Sequence, residues 1–216
     1  MDLSKQFQMV FDFQEVMQQP QSVDLDPATG RRFLRENLQD EEMKELLKAY
    51  KEDDKVEMAD GIIDSIYISI GTCLLHGFVD AHKYIKAVFD DMELMCRTGF
   101  PCKGEKKPNL EMYNQINSVF SHSYLSYELP LTTIQSKLCF RLCWYIDFWL
   151  YGEKQGWFKK DSLKRAFLEV HTSNMSKLDD NGNPIFYTEG EKKGKVKKSH
   201  NFVPPNMKQF VEPNFL

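Results

Sequence analysis

A chain of 216 residues is long enough for one large domain, or for a core domain carrying an elaborated insertion. Its 42% hydrophobic and 28% charged residues are ordinary for a globular protein, and a formal charge of -4 with a pI near 5.8 argues against a general nucleic-acid binder. Five cysteines, Cys73, Cys96, Cys102, Cys139 and Cys143, form an odd set without a CxxC pair, which fits neither a disulfide framework nor a structural zinc site. The start MDLSKQFQMVF has no basic-then-apolar leader with a cleavage site, and no apolar run is expected to approach a membrane span. The expected setting is the cytoplasm, with reduced thiols and no membrane partner.

In chain order, residues 4–18 read as an amphipathic helix with Phe7, Val10, Phe11, Val16 and Met17 as apolar contacts. QQPQSVDLDPATG is a turn-rich connection. A second helix is expected from about Gly30 to Tyr50, ending at the acidic turn KEDDK, and a third from about Asp54 to His76, stopped by Gly77. Asp80 can cap a fourth, over 81–97. RTGFPCKGEKKPN is a loop by its Gly, Pro and Lys content. Helices follow over 110–120 and 131–151, the latter very aromatic, with Cys139 and Cys143 one turn apart as buried free thiols. A last helix, over 161–171, precedes an arm from about 172 to 216, in which PIFYTEG and GKVKK suggest a short β-ribbon. The expected fold class is all-α: a helical bundle in one domain, 1–216, with a helical insertion over about 97–160 and a mostly irregular C-terminal arm.

Carboxylates carry the chemistry. With Glu41 as zero on the second helix, Glu45 falls at about 40° and Glu42 at about 100°, within the arc of Leu34, Leu38 and Ala49. On the third helix Glu57, Asp60 and Asp64 share a stripe that continues as Ile68, Gly71 and Leu75. Both stripes therefore sit on apolar faces, where charges are costly unless a cation compensates them. Only eleven residues separate Glu45 from Glu57, so the two helices are expected to pack antiparallel with their acids facing. The bland alternative is a pair of solvated charge runs at helix ends. Oxygen-only ligands suit Mg²⁺, with Mn²⁺ as the alternative ion. A di-iron bundle would want Glu-x-x-His motifs, and no glutamate here has a histidine three residues later.

The stretches RRFLRENLQDEEMKELLKAY and DKVEMADGIIDSIYISIGTCLLHGF resemble the MazG-like all-α nucleoside triphosphate pyrophosphohydrolases, whose mark is EExxE on one helix and ExxD on the next. FLEVHTSNMSKLDDNGNPI, GKVKK and VPPN resemble the C-terminal SNxSK arm of phage and bacterial members. The resemblance implies Mg²⁺-dependent hydrolysis of nucleoside triphosphates to monophosphate and pyrophosphate. It places Glu42 and Glu45 as metal ligands and Glu41 as the catalytic residue that orients or deprotonates the attacking water. EMAD supplies ExxD as Glu57 and Asp60. In the register suggested by SIYISIG the aspartate is Asp64, and Gly61 stands where the glutamate would be. Glu57, Asp60 and Asp64 are therefore all candidate metal ligands.

Ser173, Asn174, Ser176 and Lys177 match SNxSK, and Gly194 with Lys195 matches a later GK. For Ser173, Asn174, Lys177 and Lys195 this implies contact with phosphate or nucleotide; a turn or cap role is the alternative. The implied partner is a nucleoside triphosphate, with no nucleic acid. The nearly all-round apolar third helix suggests a homodimer or homotetramer. A non-catalytic nucleotide sensor on the same scaffold and a purely structural adaptor are the competing readings.

Overall fold

The computed structural model describes residues 2–19, 31–90, 104, 107–125, 131–190 and 193–216. Most of the QQPQSVDLDPATG and RTGFPCKGEKKPN connections, the fourth helix beyond residue 90, Cys96, Cys102 and Lys192 lie outside them. Among the described residues the structure is all-α, with no strand. The helices are α1 (Ser4–Val16), α2 (Arg31–Glu52), α3 (Lys55–Leu75), α4 (Ala81–Asp90), α5 (Leu110–Leu125), α6 (Leu131–Lys154) and α7 (Leu163–Met175). Two 3₁₀ turns, Met207–Phe210 and Pro213–Phe215, close the chain.

The α2–α3 hairpin is built by its turn. Asp53 takes the left-handed conformation at φ 61°, and the Asp54 N–H closes back on Ala49 O at 2.9 Å. The Asp54 side chain then caps α3, accepting from the N–H groups of Val56 and Glu57 at 3.0 Å each. Such a cap contributes about 1 kcal/mol. As α2 runs back from Leu46 through Gln39 to Arg35, its partners on α3 advance from Gly61 through Ser69 to Thr72, so the pair is antiparallel. Gly61 permits the close approach: a Cβ there would stand 3.3 Å from Leu46 Cβ. At its far end α3 stops at Gly77, φ 64°, with Gly77 N–H bonded to Leu74 O and Phe78 N–H to Cys73 O.

α3 is the central post, touching α1, α2, α6 and α7. By length and composition it could cross a membrane, against the expectation that no apolar run would approach a span. Yet 83% of its most apolar stretch is buried inside the bundle, the setting of a core helix. α6 lies along it and is buried almost all round, from Leu138 through Trp149. Trp144 stacks on Tyr113 of α5 with ring centroids 3.7 Å apart, which makes it a core residue. Cys73, Cys139 and Cys143 are buried free thiols, and burial pushes all three thiol pKa values up.

Two buried polar contacts fix how α2, α3 and α6 meet. Arg141 donates both terminal nitrogens to the two carboxylate oxygens of Glu36 at 3.0 Å each, with both side chains almost fully enclosed. Gln39 donates to Tyr145 Oη at 2.9 Å and accepts from Ser69 Oγ at 3.0 Å. The two-pronged pairing of Glu36 with Arg141, and a Gln39 amide met at both its oxygen and its nitrogen, offset burial that would otherwise be costly.

The C-terminal arm is mostly irregular. Its expected ribbon is reduced to an antiparallel bridge between Phe186 and Val196, flanked by Tyr187 N–H to Lys195 O and Lys197 N–H to Ile185 O. A second bridge, Phe158 with Val211, ties the chain's end to the turn after α6.

Candidate active site

A cavity of about 860 Å³ opens between α1, α2, α3, the end of α7 and the arm. That is the size of an ordinary small-molecule site. The α2 and α3 stripes form one wall: Leu34, Leu38, Glu41, Glu42 and Glu45 from α2, and Asp60, Asp64, Ile68 and Leu75 from α3. Opposite them, Lys177 follows the end of α7, while Lys193, Lys195 and Lys198 come from the arm. Among the described residues of 97–160, none lines this cavity.

The electrostatics are those of crowded, half-buried acids. Burial, reinforced by Asp64, Glu45 and Asp60, pushes the Glu42 carboxyl up to about 9 from an ordinary 4.5. Asp60 rises to about 7 for the same first reason, with Asp64, Glu57 and Glu45 adding to it. Asp64 rises only to about 6, because Lys177 offsets part of its burial cost. Glu41 instead has a salt bridge, with Lys195 Nζ 2.6 Å from its Oε2. Lys177 is buried enough for its pKa to fall, Asp64 partly restoring it. At neutral pH these acids therefore share fewer charges than they could carry.

A divalent cation would balance the charge gathered on such a wall. The donors are all carboxylate oxygens, the set that suits Mg²⁺ or Mn²⁺. Asp60 Oδ1 is buried with no hydrogen-bond partner, an orphan that a cation would satisfy. As the side chains stand, no three His, Cys, Asp or Glu groups among the described residues converge on one point. The fit is in donor chemistry and charge, not in a preformed coordination polyhedron.

Glu57 stands apart from the other acids: it is exposed and does not line the cavity, although its charge is felt at Asp60. Gly61 faces Leu46 across the helix interface and is buried, whereas Asp60 and Asp64, one turn apart, both line the cavity. α7 runs to Met175, so Ser173 and Asn174 occupy its last turn and not the arm. Ser173 and Asn174 reach the cavity with Lys177. Ser173 Oγ donates to Val203 O at 2.7 Å, and Ser176 Oγ accepts from the Val203 N–H at 2.8 Å. Both hydroxyls thus clip the arm onto α7. Asn174 Oδ1 accepts from Lys177 Nζ and steers the ammonium toward Asp64.

Several lining residues had no motif to announce them. Phe13 and Tyr67 meet edge to face, with centroids 5.4 Å apart, and Tyr67 Oη lies 3.0 Å from His171 Nδ1. Gln14 and Arg35 line the cavity about one turn beyond Tyr67. Gln14 Nε2 donates to Gly71 O at 3.0 Å, and Arg35 donates to Ile68 O at 2.7 Å and to Thr72 Oγ1 at 3.2 Å. The absent side chain of Gly71 makes this possible, since a Cβ there would stand 1.9 Å from Arg35 Nη2. The place of Gly71 on the α3 stripe was the only sequence signal of it.

No curated protein and no solved structure matches the chain significantly. Residues 5–91, which carry α1, the α2–α3 hairpin with all its acids, and α4, match the model of the phosphoribosyl-ATP pyrophosphohydrolase (PRA-PH) family, part of the all-α MazG-like superfamily.

Proposed function

We propose that the protein is a Mg²⁺-dependent nucleoside triphosphate pyrophosphohydrolase, splitting the α–β phosphoanhydride to give a nucleoside monophosphate and pyrophosphate. The observation that carries this reading is one cavity that brings together carboxylates and lysines, the carboxylates lying within a segment similar to pyrophosphohydrolases. Glu42, Glu45, Asp60 and Asp64 would hold the cation, which supplies Lewis acidity toward the phosphate oxygens. Asp60 and Asp64 are favoured over Glu57 because they line the cavity.

Lys177 and Lys195 place positive charge across from that wall, where it can offset charge developing on the leaving pyrophosphate. Glu41 is held by Lys195, so an incoming phosphate that competes for Lys195 frees its carboxylate to orient or deprotonate a water. The arm, clipped by Ser173 and Ser176, keeps these lysines over the acids. The phage-type C-terminal arm, a homodimeric or homotetrameric assembly and a cytoplasmic setting complete the proposal. The test is incubation of purified protein with Mg²⁺ and a panel of ribo- and deoxynucleoside triphosphates, with both products identified. Pyrophosphate and monophosphate are expected; nucleotide binding without release of pyrophosphate from any of them sinks the proposal.

That last outcome defines a second reading, a nucleotide sensor without turnover. It is motivated by the acids' failure to converge on one point among the described residues.

A further inference from the structure

The cavity extends well past the acids, and its far end carries a polar atom without a use. Gln14 is only 2% exposed, and its Oε1 has no hydrogen-bond partner. The orientation of this amide is set by its neighbour, because Gly71 O can only accept and must therefore face the Nε2 end. Gln14 lines the cavity, and the atom that it leaves unmet is an acceptor. An acceptor left unmet in a buried site costs free energy, and natural structures keep such atoms where something completes them.

Position decides what completes it. Gly71 lies seven residues beyond Asp64 on the same α3 stripe, about 10 Å along the helix axis. A nucleotide whose phosphates lie between the acids and lysines would carry its base about that far. The walls there are suited to a base: Phe13 and Tyr67 offer aromatic surface, and both line the cavity. Two nearby side chains already donate, Gln14 through Nε2 to Gly71 O and Arg35 to Ile68 O and Thr72 Oγ1.

We propose that Gln14 Oε1 is the base-selecting group, accepting a hydrogen bond from an exocyclic amino group, so that amino bases (cytosine, adenine) are preferred to their oxo counterparts (uracil, hypoxanthine). This rests on the pyrophosphohydrolase reading and adds its substrate class. An oxo group at this point sets two acceptors against each other, and a site built to accept an N–H discriminates strongly against a ligand that lacks one.

The test compares kcat/KM for dCTP with dUTP and for dATP with dITP, reading pyrophosphate. At least one amino member should exceed its oxo partner by about tenfold to a hundredfold. Gln14→Met, which keeps the volume and removes the acceptor, should bring that pair to within a few-fold. Pyrophosphate release from all four without such a preference overturns the selectivity and leaves the pyrophosphohydrolase reading standing. Calorimetric binding of dCMP against dUMP, and of dAMP against dIMP, reads the same contact without turnover or a folded variant. Equal affinities within both pairs overturn the proposal, and release of no pyrophosphate from any nucleotide overturns the activity on which it rests.

Discussion

Replacing Glu42 by glutamine should move stability and activity in opposite directions. In the folded protein the Glu42 carboxyl holds its proton up to about pH 9, whereas an unperturbed glutamate releases it near 4.5. Since the folded pKa is the higher one, the stability this group contributes is complete below about pH 4.5. It is lost as the pH rises toward 9, at about 1.4 kcal/mol per pH unit. By pH 7 the loss amounts to about 3 kcal/mol, a sizeable part of the 5–15 kcal/mol typical of a domain.

Glutamine cannot ionise, so Glu42→Gln should be more stable than the parent by about 3 kcal/mol at pH 7 in the presence of a chelator. The two should nearly coincide at pH 4.5, and the gap should widen toward pH 9. Urea unfolding followed by far-ultraviolet circular dichroism at the three pH values measures this directly. Pyrophosphate release by the same variant should be abolished. A variant no more stable than the parent at any pH would show that the Glu42 carboxylate carries no burial cost. Full turnover would remove Glu42 from the cation site.

Mg²⁺ should stabilise the parent protein at pH 7 by mass action and raise its unfolding midpoint, with a much smaller effect on Glu42→Gln; equal midpoint shifts would argue against binding at these acids. Arg141→Met removes the two-pronged pairing of the buried Glu36 carboxylate and should cost about 3–5 kcal/mol, while the double change Glu36→Leu with Arg141→Met should recover most of it in a double-mutant cycle. Gly152→Ala places a methyl group 2.4 Å from a Phe158 ring carbon, against a ring stacked on Trp149, and should cost about 1–3 kcal/mol by thermal unfolding. Lys177→Met should lower kcat by about a hundredfold and raise the pKa of Asp64, whose burial cost its ammonium now offsets. A change in KM alone would instead limit Lys177 to ground-state binding.

Much of the bundle was legible in the sequence because helical periodicity reports which face of a helix is apolar, and turn chemistry reports where it ends. The KEDDK turn, the Gly77 stop and the acids on apolar arcs are all local signals. The stripe drawn from Asp60 through Asp64 to Ile68 and Leu75 lines the cavity because one face of α3 stays one face for its whole length. Partner choice is not local. Nothing near Glu36 announces Arg141, which lies 105 residues away, and Gln39 reads as a surface glutamine until Tyr145 and Ser69 surround it. For the same reason nothing in the 97–160 segment announces that its long helix α6 packs along α3 in the core. The membrane-length apolar character of α3 follows from that packing, since a helix covered on several sides has no polar face to keep.

That central post also limits where the chain can be cut. The segment that matches the pyrophosphohydrolase family stops at residue 91, yet the flanks of α3 are covered by α6 and α7, both of which come later. A fragment ending at residue 91 would carry every acid of the site and none of the lysines, and would present α3 as a long greasy strip to solvent. The segment that matches the family model is therefore not a portable module: its chemistry and its solubility both depend on sequence that lies beyond the match.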